Sequence, residues 1–116
     1  MAFRFKKFRV YAEAKEFCKF CRDQVQTKIT DKGLLEQILR ALNSIVLNIA
    51  EGSADASDAE FARFLGISIR SVYEVVAGFD LAETYGMIIP VLNLDVEKMA
   101  ENLVKQLSAL RSTLNK

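Results

Sequence analysis

Apolar residues recur along this chain at spacings of three and four, the helical period, in four separate blocks. In the first block, Phe8, Tyr11, Ala12, Ala14, Phe17, Cys18, Cys21 and Val25 form one stripe, which predicts a helix from about Lys6 to Thr27. Thr30 or Asp31 can cap the next helix, because a short side-chain oxygen accepts a hydrogen bond from a free first-turn amide. That second helix is expected over Lys32 to Ala50, with Gly52 suited to its stop. Ser57 and Glu60 have the S-x-x-E spacing of a capping box before Phe61, Phe64 and Leu65, so a third helix starts there and runs to Tyr85, with Gly86 as its stop. Gly66 and Gly78 lie inside it and should each cost about 1 kcal/mol relative to alanine. Close approach of another helix would explain them. Pro90 opposes continuation. A fourth helix, expected from Asn93 or Asp95 to Leu114, carries Val96, Met99, Leu103, Leu107, Leu110 and Leu114 on one face.

Four helices joined by short turns predict an all-α chain, an antiparallel up-down-up-down four-helix bundle forming one domain over residues 1–116. Composition agrees. A length of 116 residues suits one compact domain, 51% hydrophobic residues is too many for a disordered chain, and one proline with five glycines favours long helices. No apolar run approaches the ~18–20 residues of a membrane span. The basic start "MAFRFKKFRVY" leads into no apolar stretch, so it does not read as a secretory signal. The expected compartment is cytoplasmic, with both cysteines reduced.

On a helical wheel of the second helix, Leu34, Leu35, Ile38, Leu39, Leu42, Ile45, Val46 and Ile49 fill an arc of roughly 140°. Gln37, Arg40, Ser44, Asn48 and Glu51 fall within about 80° on the other side. That side faces water or another chain. Leu47 lies among these polar residues, as the centre of an interface with a polar rim would. Arg40, Ser44, Leu47, Asn48 and Glu51 are therefore the candidate subunit interface; a plain solvated surface is the alternative.

Charge adds a second candidate. Residues 1–32 hold nine Lys/Arg against four Asp/Glu, whereas residues 53–89 hold two Arg against six Asp/Glu. A basic first element and an acidic third one can attract each other, within a subunit or between subunits, and the basic one can also meet nucleic acid. In "FRFKKFRVY", Arg4, Lys6, Lys7 and Arg9 alternate with phenylalanines. Cations neutralise phosphates and aromatics stack on unpaired bases, so these four are the candidate nucleic-acid contacts. The competing reading places the phenylalanines in the core and the charges in water.

Reaction chemistry is poorly represented. The chain has no histidine, which removes Ser-His and Cys-His pairs and the commonest zinc ligand. No P-loop or dinucleotide-binding glycine pattern occurs. Neither enzymatic activity nor a cofactor is expected. Cys18 and Cys21 have C-x-x-C spacing, but a zinc site needs four ligands and both sulfurs fall on the apolar stripe, so core packing is favoured over a redox pair or a metal shared between subunits. Glu51, Asp55, Asp58 and Glu60 superficially suggest a calcium loop but lack its twelve-residue ligand spacing. Helix capping is the simpler reading.

The middle of the chain resembles the four-helix-bundle proteins encoded in intervening sequences of bacterial 23S ribosomal RNA genes. The residues that carry the resemblance are Arg40, Ser44-Ile45, Asn48-Ile49-Ala50-Glu51-Gly52, Glu60-Phe61, Phe64-Leu65, Ser68, Ser71 and Tyr85-Gly86-Met87-Ile88. Where that family has Pro-Ser, this chain has Val46-Leu47, which restores a backbone donor and predicts a straight helix there. The resemblance implies an antiparallel bundle assembled as a ring of five. By analogy with a related bundle that serves diversity-generating retroelements, it also points to nucleic acid and a reverse transcriptase as partners. A structural or protein-binding bundle with no nucleic-acid role remains the alternative.

Overall fold

The computed structural model describes residues 2–54 and 57–114, and the helical architecture read from the sequence is present. A short 3₁₀ turn, Arg4–Lys7, precedes α1 (Arg9–Lys28), α2 (Lys32–Gly52), α3 (Asp58–Thr84) and α4 (Pro90–Leu114). No strand occurs among the described residues. Helices adjacent in the chain pack against each other and α1 closes on α4, while the diagonal pairs make no close backbone approach. This is the ring order of an up-down-up-down bundle. α2 and α3 pack most closely, and α1 and α4 least.

Local chemistry sets each boundary. Asp31 accepts the Leu34 amide at 2.9 Å to start α2. Ser57 accepts the Glu60 amide at 3.2 Å to start α3. The reciprocal half of the expected capping box is not made: the Glu60 carboxylate binds Arg63, at 3.0 Å to Nη2. α3 ends in a Schellman motif, with the Met87 amide bonded to Ala82 O and the Gly86 amide to Glu83 O, both at 2.9 Å. Gly86 makes this possible by adopting φ 77°.

Three boundaries depart from expectation. The basic segment is not a continuous first turn of α1; Phe8 adopts an extended conformation and separates the 3₁₀ turn from the helix. Gly52 is the last residue of α2 rather than a left-handed stop. α4 begins at Pro90, because a missing amide is harmless at a first helical position that has no partner for it. Asn93 is therefore not a cap; its amide reaches back to α3, donating to Glu83 at 2.8 Å and Asp80 at 3.0 Å.

The core is built from the predicted stripes. Phe17, Cys21 and Val25 of α1 meet Ile38, Leu42, Ile45 and Ile49 of α2, Leu65, Val72, Val75 and Phe79 of α3, and Val96, Leu103 and Leu107 of α4. Met99, Leu110 and Leu114 sit at its edge. Ala12 is exposed, and Val10 takes a buried place instead. The close-approach explanation holds at Gly78, where an added Cβ would meet Ile38 Cγ1 at 2.6 Å. At Gly66 the neighbour is the mobile end of a side chain, the Arg111 guanidinium, at 3.4 Å.

Candidate functional site

The polar line on α2 divides in two. Arg40, Leu47 and Glu51 are exposed, Leu47 to 56%. Ser44 and Asn48 are half-buried, and Ser44 reaches α3. Asn48 Nδ2 donates to Ser44 O at 2.8 Å and to Ser44 Oγ at 2.9 Å. Ser44 Oγ and Ser71 Oγ are hydrogen-bonded at 2.8 Å, and Ser71 Oγ also lies 3.0 Å from Ile67 O. Next to this relay, buried Ser68 donates to Ile45 O at 2.8 Å. These serines and Asn48 thus supply hydrogen bonds along the α2–α3 seam. The wheel places Ser44 opposite the apolar arc, but α3 packs close enough to reach it. What stands outward is Leu47 with Arg40 and Glu51.

The basic segment is also divided. Arg4 Nε donates to Ser53 O at 2.7 Å, and its guanidinium lies 5.5 Å from the Phe61 ring centre and 5.9 Å from that of Phe8. Arg4 therefore closes the C-terminal end of α2, where a cation also opposes the helix dipole. Arg9 Nε lies 3.5 Å from Glu13 Oε1, one turn along α1. Lys6 and Lys7 are exposed and hold no ion pair among the described residues. Phe8 stacks on Phe61 at 6.1 Å and Phe5 meets Tyr11 edge-on at 4.8 Å. Only Phe3 of the three phenylalanines remains exposed. The attraction expected between the basic first element and the acidic third forms no ion pair within the subunit: every ion pair among the described residues lies within one helix or its first turn. α1 and α3 stand diagonally across the core. Asp55, a member of the acidic loop, lies outside the described residues.

Cys21 is fully buried, and half-buried Cys18 donates its thiol to Leu42 O at 3.2 Å. Burial pushes the Cys18 thiol from its ordinary 9.0 up to about 12. Burial, and then proximity to Cys18, pushes Cys21 up as well. A protonated thiol is a poor nucleophile and ligand, which fits the packing role. The folded state holds these protons where the unfolded chain releases them. The thiols' contribution to stability should therefore be fully present below about pH 9 and be lost as pH rises above it. Urea unfolding from neutral to alkaline pH checks this, and the Cys18→Ala/Cys21→Ala variant should show a shallower alkaline loss.

Two features escaped the sequence reading. Tyr85, Ile89, Val91 and Leu94 are exposed apolar residues around the α3–α4 turn. Arg63, Arg70 and Arg111 line a single groove on the α3–α4 side. The Arg63/Arg70 spacing is visible in the sequence, but the arrival of Arg111 from α4 is not.

Four antiparallel helices, with polar residues that either close seams or stand on the outer face, define a small helical-bundle protein whose candidate sites are surfaces. No described helix is long and apolar enough to cross a membrane. The family model for the 23S rRNA-intervening sequence protein matches residues 6–110, so the chain belongs to that family. No curated protein matches it.

Proposed function

We propose that this chain is a non-enzymatic bundle that assembles with copies of itself through the outer side of α2 and contacts nucleic acid through the basic segment ahead of α1. The observation that carries the nucleic-acid part is the pair Lys6 and Lys7, exposed and unpaired among the described residues beside an exposed Phe3. Arg9 adds a third cation only by leaving Glu13, and Arg4 only by uncapping α2. A ring, five-fold by the family resemblance, repeats the lysine pair once per subunit, so weak single contacts add by avidity. The absence of histidine supports a binding role over catalysis.

Fluorescence anisotropy of short single-stranded RNA and DNA at two salt concentrations tests this reading. Lys6→Gln/Lys7→Gln should weaken binding and flatten the log–log salt slope by about 1.4 per engaged subunit, the value for two single-strand phosphate contacts. No binding at low salt, or a variant indistinguishable from the parent, ends the nucleic-acid part.

A protein-binding bundle with no nucleic-acid role is the second reading. It is favoured by the apolar group Tyr85, Ile89, Val91 and Leu94, which stands in solvent at one end of the molecule. A stoichiometric protein partner retained after nuclease treatment and lost on Ile89→Glu would support it.

A further inference from the structure

Three arginines converge where α3 and α4 meet. Arg63, Gly66 and Arg70 are spaced i, i+3 and i+7 along α3 and so share one face. Between the two arginines α4 brings in Arg111, whose guanidinium lies 3.4 Å from where a Gly66 Cβ would stand. With Ile67 and Ile69 these residues line a groove of about 350 Å³. Gly66 keeps the floor bare: a larger residue there would displace the guanidinium and fill the groove.

The charges make the arrangement unusual. Residues 53–89 are acidic overall, yet their two cations, Arg63 and Arg70, are both in this groove. Arg63 is partly neutralised by Glu60, with Nε 3.1 Å and Nη2 3.0 Å from Oε2, and it lies over the Phe64 ring at 4.7 Å. Arg70 and Arg111 hold no ion pair among the described residues. Gathered like charges repel, and an oxyanion set between them relieves the repulsion. Planar guanidinium forks match phosphate oxygens in pairs, which gives the groove a chemical preference. Arg63 and Arg70 are about 10 Å apart along the helix axis. One strand of a duplex carries about three phosphates over that length.

We propose that Arg63, Arg70 and Arg111 form a phosphate-binding groove, occupied by consecutive backbone phosphates of a nucleic-acid strand. The identity of the strand rests on the nucleic-acid reading above; the phosphate chemistry does not. The groove is a second contact surface, separate from Lys6 and Lys7.

The experiment uses the full chain and two probes: a labelled oligothymidylate followed by anisotropy, and inorganic pyrophosphate followed by its effect on melting temperature. Arg70→Gln/Arg111→Gln should weaken oligonucleotide binding by roughly tenfold or more and abolish protection by pyrophosphate. Gly66→Leu should weaken both as well, although it removes no charge, an effect that altered net charge alone would not produce. Both arginines are exposed, so the double variant should retain its helicity and melt no lower than the parent; it decides the matter if Gly66→Leu folds poorly. Oligonucleotide affinity and pyrophosphate protection unchanged in the arginine variant, with affinity lost in Lys6→Gln/Lys7→Gln, would overturn the groove and leave the nucleic-acid reading standing. Arginine-dependent protection by pyrophosphate without oligonucleotide binding by the parent would keep the groove and overturn the nucleic-acid reading. No response to either probe overturns both.

Discussion

Gly52→Ala should lower the melting temperature by roughly 10 °C, from a loss of about 2–3 kcal/mol at about 4 °C per kcal/mol for a chain of this length. A methyl at this position would stand 2.6 Å from Phe64 Cβ and 2.9 Å from Phe61 Cδ1. Phe64 Cβ is tied directly to the α3 backbone and cannot swing aside, so α2 and α3 must separate there. The disturbance would reach Ser53, whose carbonyl holds Arg4, and Phe61, on which Phe8 stacks. Gly52 ends its helix, so little helix propensity is gained in return. Gly66→Ala is the contrast: its neighbour is the guanidinium of Arg111 at 3.4 Å, which can move, and alanine should stabilise the helix by up to about 1 kcal/mol. Thermal unfolding of both variants at one protein concentration checks the pair. An unchanged melting temperature for Gly52→Ala would mean that the helices are not as close as described.

Leu47→Glu should convert the proposed assembly to single subunits of 13.1 kDa while leaving the bundle folded. Leu47 is 56% exposed, so within one subunit the substitution is a surface change worth within about 0.5 kcal/mol. In an interface, the same carboxylate would be desolvated beside Glu51 without a dedicated partner, at several kcal/mol per contact, repeated at every contact in the ring. Light scattering gives the mass, and far-ultraviolet circular dichroism gives the helicity. An unchanged mass would remove Leu47 from any central contact. Loss of helicity would show a core role, contrary to its exposure. The partial burial of Ser44 and Asn48 sharpens the test. Ser44→Ala should loosen the α2–α3 seam by about 1 kcal/mol through its lost bonds to Ser71 and Asn48, with no direct effect on the outer face.

The motif that carries the family resemblance has a physical explanation in this chain. Ser44, Asn48, Ser68 and Ser71 satisfy one another or nearby carbonyls across α2 and α3. Gly52, Phe61 and Phe64 interlock at one end of that seam, and Gly86 turns the chain after it. Much of the motif maintains the fold; on α2 its outward members are Arg40 and Glu51, beside Leu47.

Sequence by itself determined the four helices, their order, the core stripes, a cap for α2 at Thr30 or Asp31, the cap at Ser57, the stop at Gly86 and the packing role of the cysteines. Each depends on a pattern within one helix or one turn, set by the 3.6-residue period or by bonds between residues a few positions apart. Tertiary structure alone decided that Gly52 is a packing glycine, that Arg4 caps a helix 49 residues away, that Ser44 faces Ser71, and that Arg111 lies between Arg63 and Arg70. A wheel fixes the direction of a side chain around its own axis but not how near the next helix comes. That distance depends on the fit of two whole surfaces, and it determines whether a polar residue meets water, a neighbouring hydroxyl or another charge.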